Sequence, residues 1–120
     1  MVIDKTAVIG FPVDHSLSPA IHNYWIKELG LDIKPYKKLN VNPNTFEEQI
    51  NSLKQDGFGG LNVTVPLKEL AFNISDETSG VSKKLRSVNT LTLGSDKING
   101  DNTDAAGFIN SLDKKTIEEN

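Results

Sequence analysis

Asn62-Val63-Thr64-Val65-Pro66-Leu67-Lys68 reads as the end of one element and the start of the next. Gly59 to Val65 predicts a strand fronted by two glycines. Pro66, whose fixed φ suits the first helical position, predicts a helix from there to Ile74. Lys68 then falls in the first helical turn, where a cation opposes the helix dipole at a cost of about 0.3–1 kcal/mol. A purely structural sequence more often places Asp or Glu there. Asn62, Thr64 and Lys68 thus put an amide, a hydroxyl and an ammonium at the carboxyl end of a strand, where open α/β sheets hold ligands.

The flanking sequence repeats this strand–helix alternation. Thr6 to Gly10 is a short apolar run that predicts a buried strand. Phe11 to Leu17 is a loop. Ser18-Pro19 predicts an N-cap and first helical residue, with the helix ending near Leu29 and Gly30 as its cap. Ile21, Trp25 and Leu29 recur every four residues and are expected to form its buried stripe. Lys34 to Val41 predicts a second strand anchored by Tyr36. Asn42-Pro43 starts a helix in which Phe46, Ile50 and Leu53 share a face, closed by Asp56-Gly57. Glu77 to Leu85 reads as a further helix interrupted by Gly80. Val88 to Leu93 and Lys97 to Gly100 form a hairpin around Gly94-Ser95-Asp96. Asn102 or Thr103 caps a last helix carrying Phe108, Ile109 and Leu112, and Asp113 to Asn120 is a polar linker or frayed tail. The predicted fold is α/β: a three-layer sandwich with helices on both faces of a mostly parallel sheet and at least one antiparallel strand.

A chain of 120 residues predicts one domain, large enough to bury roughly two thirds of its unfolded surface. The net charge of −3 and the lack of a basic run argue against non-specific nucleic-acid binding. Without cysteine there is neither a disulfide framework nor a thiolate metal site. His15 and His22 have no metal-ligand spacing and read as a loop residue and a satisfied polar residue. Trp25, Tyr36, Phe46 and Phe58 read as core. No stretch approaches the ~20 apolar residues of a membrane span. Met1 to Lys5 lacks the pattern of a signal peptide. The expectation is a soluble cytoplasmic protein.

Four segments could carry chemistry. Ser16 and Ser18, two hydroxyls beside a helix N-terminus, could hold a carboxylate. From the tetrapeptide alone the plainer reading is favoured, with Ser18 capping the helix and Ser16 in the loop. Asn89 is expected within a strand, where Asn is depleted; it needs hydrogen-bond partners, supplied either by neighbouring backbone or by a polyhydroxylated ligand. Asp104 in isolation is an acid suited to a helix start, and a catalytic role requires it to face Lys68. For Lys68, burial and the positive helix end lower the pKa and an Asp104 carboxylate raises it; the alternative is a solvated lysine tolerated on a short helix.

Taken in order, Ser16-Leu17-Ser18-Pro19, Asn62 to Lys68, Val88-Asn89-Thr90-Leu91 and Asn102-Thr103-Asp104 resemble the substrate-binding domain of shikimate dehydrogenases, over about Thr6 to Leu112. That family reduces 3-dehydroshikimate to shikimate with NADPH, on the route to aromatic amino acids. The resemblance implies that Ser16 and Ser18 bind the substrate carboxylate. It implies that Asn62, Thr64, Asn89 and Asp104 hold ring hydroxyls, and that Lys68 and Asp104 are the catalytic pair. Two serines in the first motif fit the shikimate type rather than the quinate-preferring one.

Arg86-Ser87 stands where the family usually has Gly-Ala, and Ala105 where it usually has Gly. No glycine-rich dinucleotide fingerprint follows a strand. The Rossmann domain that carries NADP(H), the family's remaining substrate contacts and a final helix that packs back on this domain are therefore expected outside these residues. On this reading residues 1–112 are the substrate-binding domain, 113–120 the tail, and the chain, an isolated or truncated unit, binds no cofactor and is inactive alone. Apolar surface left uncovered would favour homo-oligomers. The alternatives are a quinate/shikimate dehydrogenase domain using NAD, and a non-catalytic shikimate-binding or assembly module.

Overall fold

The strands follow the short branched runs and the helices follow the four-residue repeats between them. The computed structural model describes residues 5–13, 18–30 and 35–104, the side chain of Ser18 excepted. In order these form β1 (Lys5–Gly10), α1 (Ser18–Leu29), β2 (Lys37–Asn40), a 3-10 turn (Pro43–Thr45), α2 (Phe46–Gln55), β3 (Phe58–Val63), α3 (Lys68–Ile74), β4 (Glu77–Thr78), α4 (Gly80–Leu85), β5 (Thr90–Leu93) and β6 (Ile98–Asp101). The strands make one sheet in the order β2-β1-β3-β5-β6-β4. β1 runs parallel to β2 and β3, and β4 parallel to β6; β5 is antiparallel to both β3 and β6. The expected mostly parallel sheet with an antiparallel hairpin is present.

Alternation along the strands sorts the side chains. Ala7, Ile9, Leu61, Val63, Leu91 and Leu93 turn to one face, which Phe46 and Ile50 of α2 and Ala71 of α3 cover. Complete burial of residues such as Ile50 and Leu61 contributes about 1.5–3 kcal/mol each. Val8, on the other face, packs with Val13, Tyr36 and Ile26 of α1. Helices thus lie on both sides of the sheet.

Several expectations are corrected. Pro66 does not start α3. It sits in a turn from Thr64 to Leu67, closed by Leu67 N–H donating to the Thr64 carbonyl at 3.0 Å, with a cis Val65–Pro66 peptide. The helix begins two residues later, at Lys68 itself. Gly80 does not interrupt a helix from Glu77. Glu77–Thr78 pairs with β6, and α4 begins at Gly80 because the Ser79 side chain caps it by accepting from Ser82 N–H.

The stripe Ile21, Trp25 and Leu29 is not buried: these residues are 46%, 51% and 70% exposed. Polar anchors set the rotation of α1 instead. Asn23 accepts from the Tyr36 N–H at 2.7 Å and donates to the Tyr36 carbonyl at 3.1 Å, while the His22 ring stacks on Tyr36. The inward face is therefore 22/23/26. Tyr36, Phe46 and Phe58 are core as expected, whereas Trp25 is not. The last predicted helix beyond Asp104, the domain end at Leu112 and the tail lie outside the described residues.

Arg86, standing where the family resemblance expects glycine, ends α4 with φ 52° and ψ 42°. This left-handed conformation suits glycine and disfavours a residue with a Cβ. Arg86→Gly is expected to raise the unfolding free energy by about 1 kcal/mol in urea titration. Gly100 is needed for space: a Cβ there would run into Ser75 Oγ and meet Val88 Cγ2 at 2.8 Å. Gly100→Ala should cost about 1–3 kcal/mol in the same experiment.

Candidate functional site

The sheet topology brings distant segments to one edge. β1 and β3 end there. β5, antiparallel to them, begins there, and β6 returns there. The register pairs Asn62 with Thr90 and Thr90 with Asp101. Backbone bonds extend the ladder past the strands: Val63 N–H donates to the Asn89 carbonyl at 2.7 Å, Asn89 N–H to the Asp101 carbonyl at 2.9 Å and Val88 N–H to the Lys68 carbonyl at 3.0 Å. Asn89 therefore precedes β5 rather than lying within the strand.

A cleft of about 290 Å³ opens at this edge, lined by Val8, His22, Asn62, Val63, Thr64, Lys68, Asn89 and Asp104. Its size is near the lower end of small-molecule sites. It brings together Asn62, Thr64, Lys68, Asn89 and Asp104 from the sequence reading. Ser16 lies outside the described residues, and Ser18 is the first residue of α1.

Lys68 Nζ donates to Asp104 Oδ2 at 2.7 Å. Asn89 Nδ2 donates to Asp104 Oδ1 at 3.0 Å and to Thr103 Oγ1 at 2.8 Å, while Asn89 Oδ1 accepts from Thr103 N–H and Thr90 Oγ1. Backbone partners are thus met in part, through the Thr103 N–H, and the remaining bonds go to the side chains of Thr90, Thr103 and Asp104, so that the Asn89 amide orients a carboxylate in the cleft. The Lys68 hydrogen bond, with its charge and the Asn89 bond adding to it, holds the Asp104 carboxyl below the usual carboxylate range against a smaller opposing effect of burial. With side chains 31% and 58% exposed, the Lys68–Asp104 pair contributes at most about 1 kcal/mol to stability. That is the size of the dipole cost at Lys68, so stability alone does not explain the arrangement.

Sequence reasoning missed one group that lines the cleft and one that supports it. His22 is half-buried in the cleft and stacked on Tyr36 with ring centroids 4.2 Å apart. Tyr36, read only as core, donates its hydroxyl to Asn62 Oδ1 at 2.7 Å. The available signal was that a tyrosine read as core needs a partner for its hydroxyl; that Asn62, 26 residues away, is this partner was not legible in the sequence. A second, more apolar groove of about 340 Å³ adjoins the cleft and shares His22 and Asn62 with it.

The model of the shikimate dehydrogenase substrate binding domain family matches residues 8–91. This chain belongs to that family. It is 46% identical over 113 residues to the shikimate dehydrogenase (NADP(+)) of Rhizobium etli, covering 92% of this chain and 39% of that protein. It is 43% identical to the enzyme of the same name from Brucella abortus, over 91% of this chain and 37% of that protein. Among solved structures, shikimate dehydrogenase from Aquifex aeolicus aligns with a TM-score of 0.83 at 36% identity, over 95% of this chain and 44% of that one. The Thermus thermophilus enzyme in complex with NADP(H) and shikimate aligns with a TM-score of 0.81 at 32% identity, over 96% and 43%. The chain thus spans about two fifths of the length of these relatives.

Gly10, which closes β1, is packed against protein: a Cβ there would meet Thr64 Cγ2 at 2.6 Å and the Val65 carbonyl at 3.3 Å. Among the described residues no group of His, Asp and Glu could hold a metal ion, and no helix is long and apolar enough to cross a membrane.

Because the folded-state Asp104 pKa is depressed, the stability it contributes is fully present above its unfolded value near pH 4 and is lost as pH falls through the folded value. Lys68→Met removes the main cause of the depression. The Asp104 carboxyl, followed by carbon NMR, should then titrate at higher pH than in the parent chain. An unchanged midpoint would show that the pair does not persist in solution.

Proposed function

We propose that these residues form the substrate-binding and catalytic-residue part of an NADP-dependent shikimate dehydrogenase, with residues 1–112 as the domain that grips the ring acid. The observation that carries the proposal is the Lys68–Asp104 pair at 2.7 Å, set among Asn62, Thr64 and Asn89 in one cleft. Its family membership and the shikimate complex of the Thermus thermophilus relative support the same ligand.

In this reading the hydroxyls of Ser16 and Ser18 take the substrate carboxylate, and Asn62, Thr64, Asn89 and Asp104 hold ring hydroxyls. Lys68 Nζ–H donates to the ketone oxygen of 3-dehydroshikimate. As the carbonyl carbon accepts a hydride from a reduced nicotinamide nucleotide, the oxygen gains negative charge and takes the proton from Lys68; the ketone is reduced to an alcohol and the nucleotide oxidised. Asp104 keeps the ammonium at the reacting oxygen. The nucleotide is held by a part of the protein beyond the described residues.

Addition of shikimate should shift the amide resonances of Thr64, Lys68, Asn89 and Asp104, and Lys68→Met should weaken the affinity about tenfold or more, since it deletes a charged donor. A spectrum unmoved by millimolar shikimate counts against the proposal. A response to quinate but not shikimate would redirect it to the quinate type. The 120 residues alone should show no NADP-linked turnover, and a steady rate from the purified chain would refute this.

A further inference from the structure

We propose that Tyr36 is a positioning residue, which fixes the Asn62 side chain so that its amide N–H groups are offered to an oxygen of the bound ligand. This rests on the reading of the cleft as a site for a polyhydroxylated ring acid.

Tyr36 lies just before β2 and is 4% exposed. α1 holds it from two directions. The Asn23 amide clamps its backbone N–H and carbonyl, and the His22 ring lies over its own ring with planes 10° apart. The phenol oxygen is thereby placed 2.7 Å from Asn62 Oδ1. Burial pushes the Tyr36 pKa up to about 12, so the group keeps its proton at neutral pH and remains a donor.

An amide has two faces, a carbonyl that accepts and an NH2 that donates. The Tyr36 bond engages the carbonyl. Turning the amide over would leave the buried phenol proton without that acceptor, which is unfavourable. Among the described residues nothing accepts from Asn62 Nδ2, and the Asn62 side chain lines the same cleft as Lys68 and Asp104. The preset amide favours a ligand with an acceptor oxygen at this point of the ring and discriminates against one lacking it. His22 contributes to the arrangement as the wall that holds the Tyr36 ring flat.

A double-mutant cycle in the 120-residue chain tests this. Tyr36→Phe keeps the ring and its stack on His22 and removes only the hydroxyl. Shikimate affinity, measured by calorimetry or NMR titration, should fall about fivefold in Tyr36→Phe. In an Asn62→Ala background the same change should have no further effect. Equal losses in both backgrounds would mean that Tyr36 acts through packing and would overturn the inference.

A second measurement does not depend on ligand. In the free chain the Asn62 side-chain amide should be ordered by nitrogen relaxation and become mobile in Tyr36→Phe; unchanged order would overturn the inference. If the parent chain ignores shikimate, the functional reading fails, while this relaxation comparison still decides the role of Tyr36. Were Tyr36→Phe not to fold, the parent chain supplies the decision: a slowly exchanging Tyr36 hydroxyl proton in contact with the Asn62 side chain supports the inference, and its absence refutes it.

Discussion

β3 is hydrogen-bonded in opposite senses on its two sides, parallel to β1 and antiparallel to β5. The candidate site depends on that reversal. An all-parallel sheet would bring only the carboxyl ends of strands to this edge. Here the start of β5 and the return of β6 arrive there too, so Asn89 and Asp104 stand opposite Asn62, Thr64 and Lys68. The edge is a switch in strand direction, the place where an α/β sheet leaves polar side chains uncovered. The rest of the sheet serves it: the buried residues of β1, β3 and β5 hold the register that puts Asn62 beside Thr90.

Polar contacts do much of the positioning around this frame. α1 has an apolar stripe, but Asn23 and His22 decide which side of the helix meets the sheet, because both engage Tyr36. A backbone amide and carbonyl ahead of an edge strand need partners when they leave the solvent, and Asn23 supplies both. The helix gives up burial of Trp25 and Leu29 in exchange. The same Tyr36 then reaches Asn62, which links the rotation of a helix to the orientation of an amide in the cleft.

The Lys68–Asp104 pair sits at the other end of the energy scale. Half-exposed ion pairs add little to stability, and a lysine opening a helix is mildly unfavourable. What the pair gains is geometry. Asp104 accepts from both Lys68 and Asn89, so its charge is held in place and its carboxyl stays ionised. A cation fixed beside ligand-sized space can stabilise charge developing on a carbonyl oxygen, and this is the chemistry that a ketone reduction requires.

The fold class was legible in the order of residues alone. Period-two and period-four apolar patterns, with proline, glycine and aspartate between them, specify strands and helices through local sterics and burial. The late Gly94-Ser95-Asp96 turn specifies an antiparallel pair for the same reasons. Four short polar motifs in order were enough to point to the family and to five residues of the cleft, Asn62, Thr64, Lys68, Asn89 and Asp104. Local rules placed Pro66 at a helix start, read a helix through Glu77 and buried the stripe of Trp25. Two of these depended on a partner outside the segment, the pairing of Glu77 with Asn99 and the hold of Asn23 on Tyr36, whereas the turn at Pro66 is closed locally between Leu67 and Thr64. That Lys68 and Asp104, 36 residues apart, meet at 2.7 Å, and that Tyr36 turns toward Asn62, follows from the folded sheet and not from either segment. Hydrogen bonds between distant side chains depend on strand register and helix rotation, and those are set by the packing of the whole sheet rather than by any one segment.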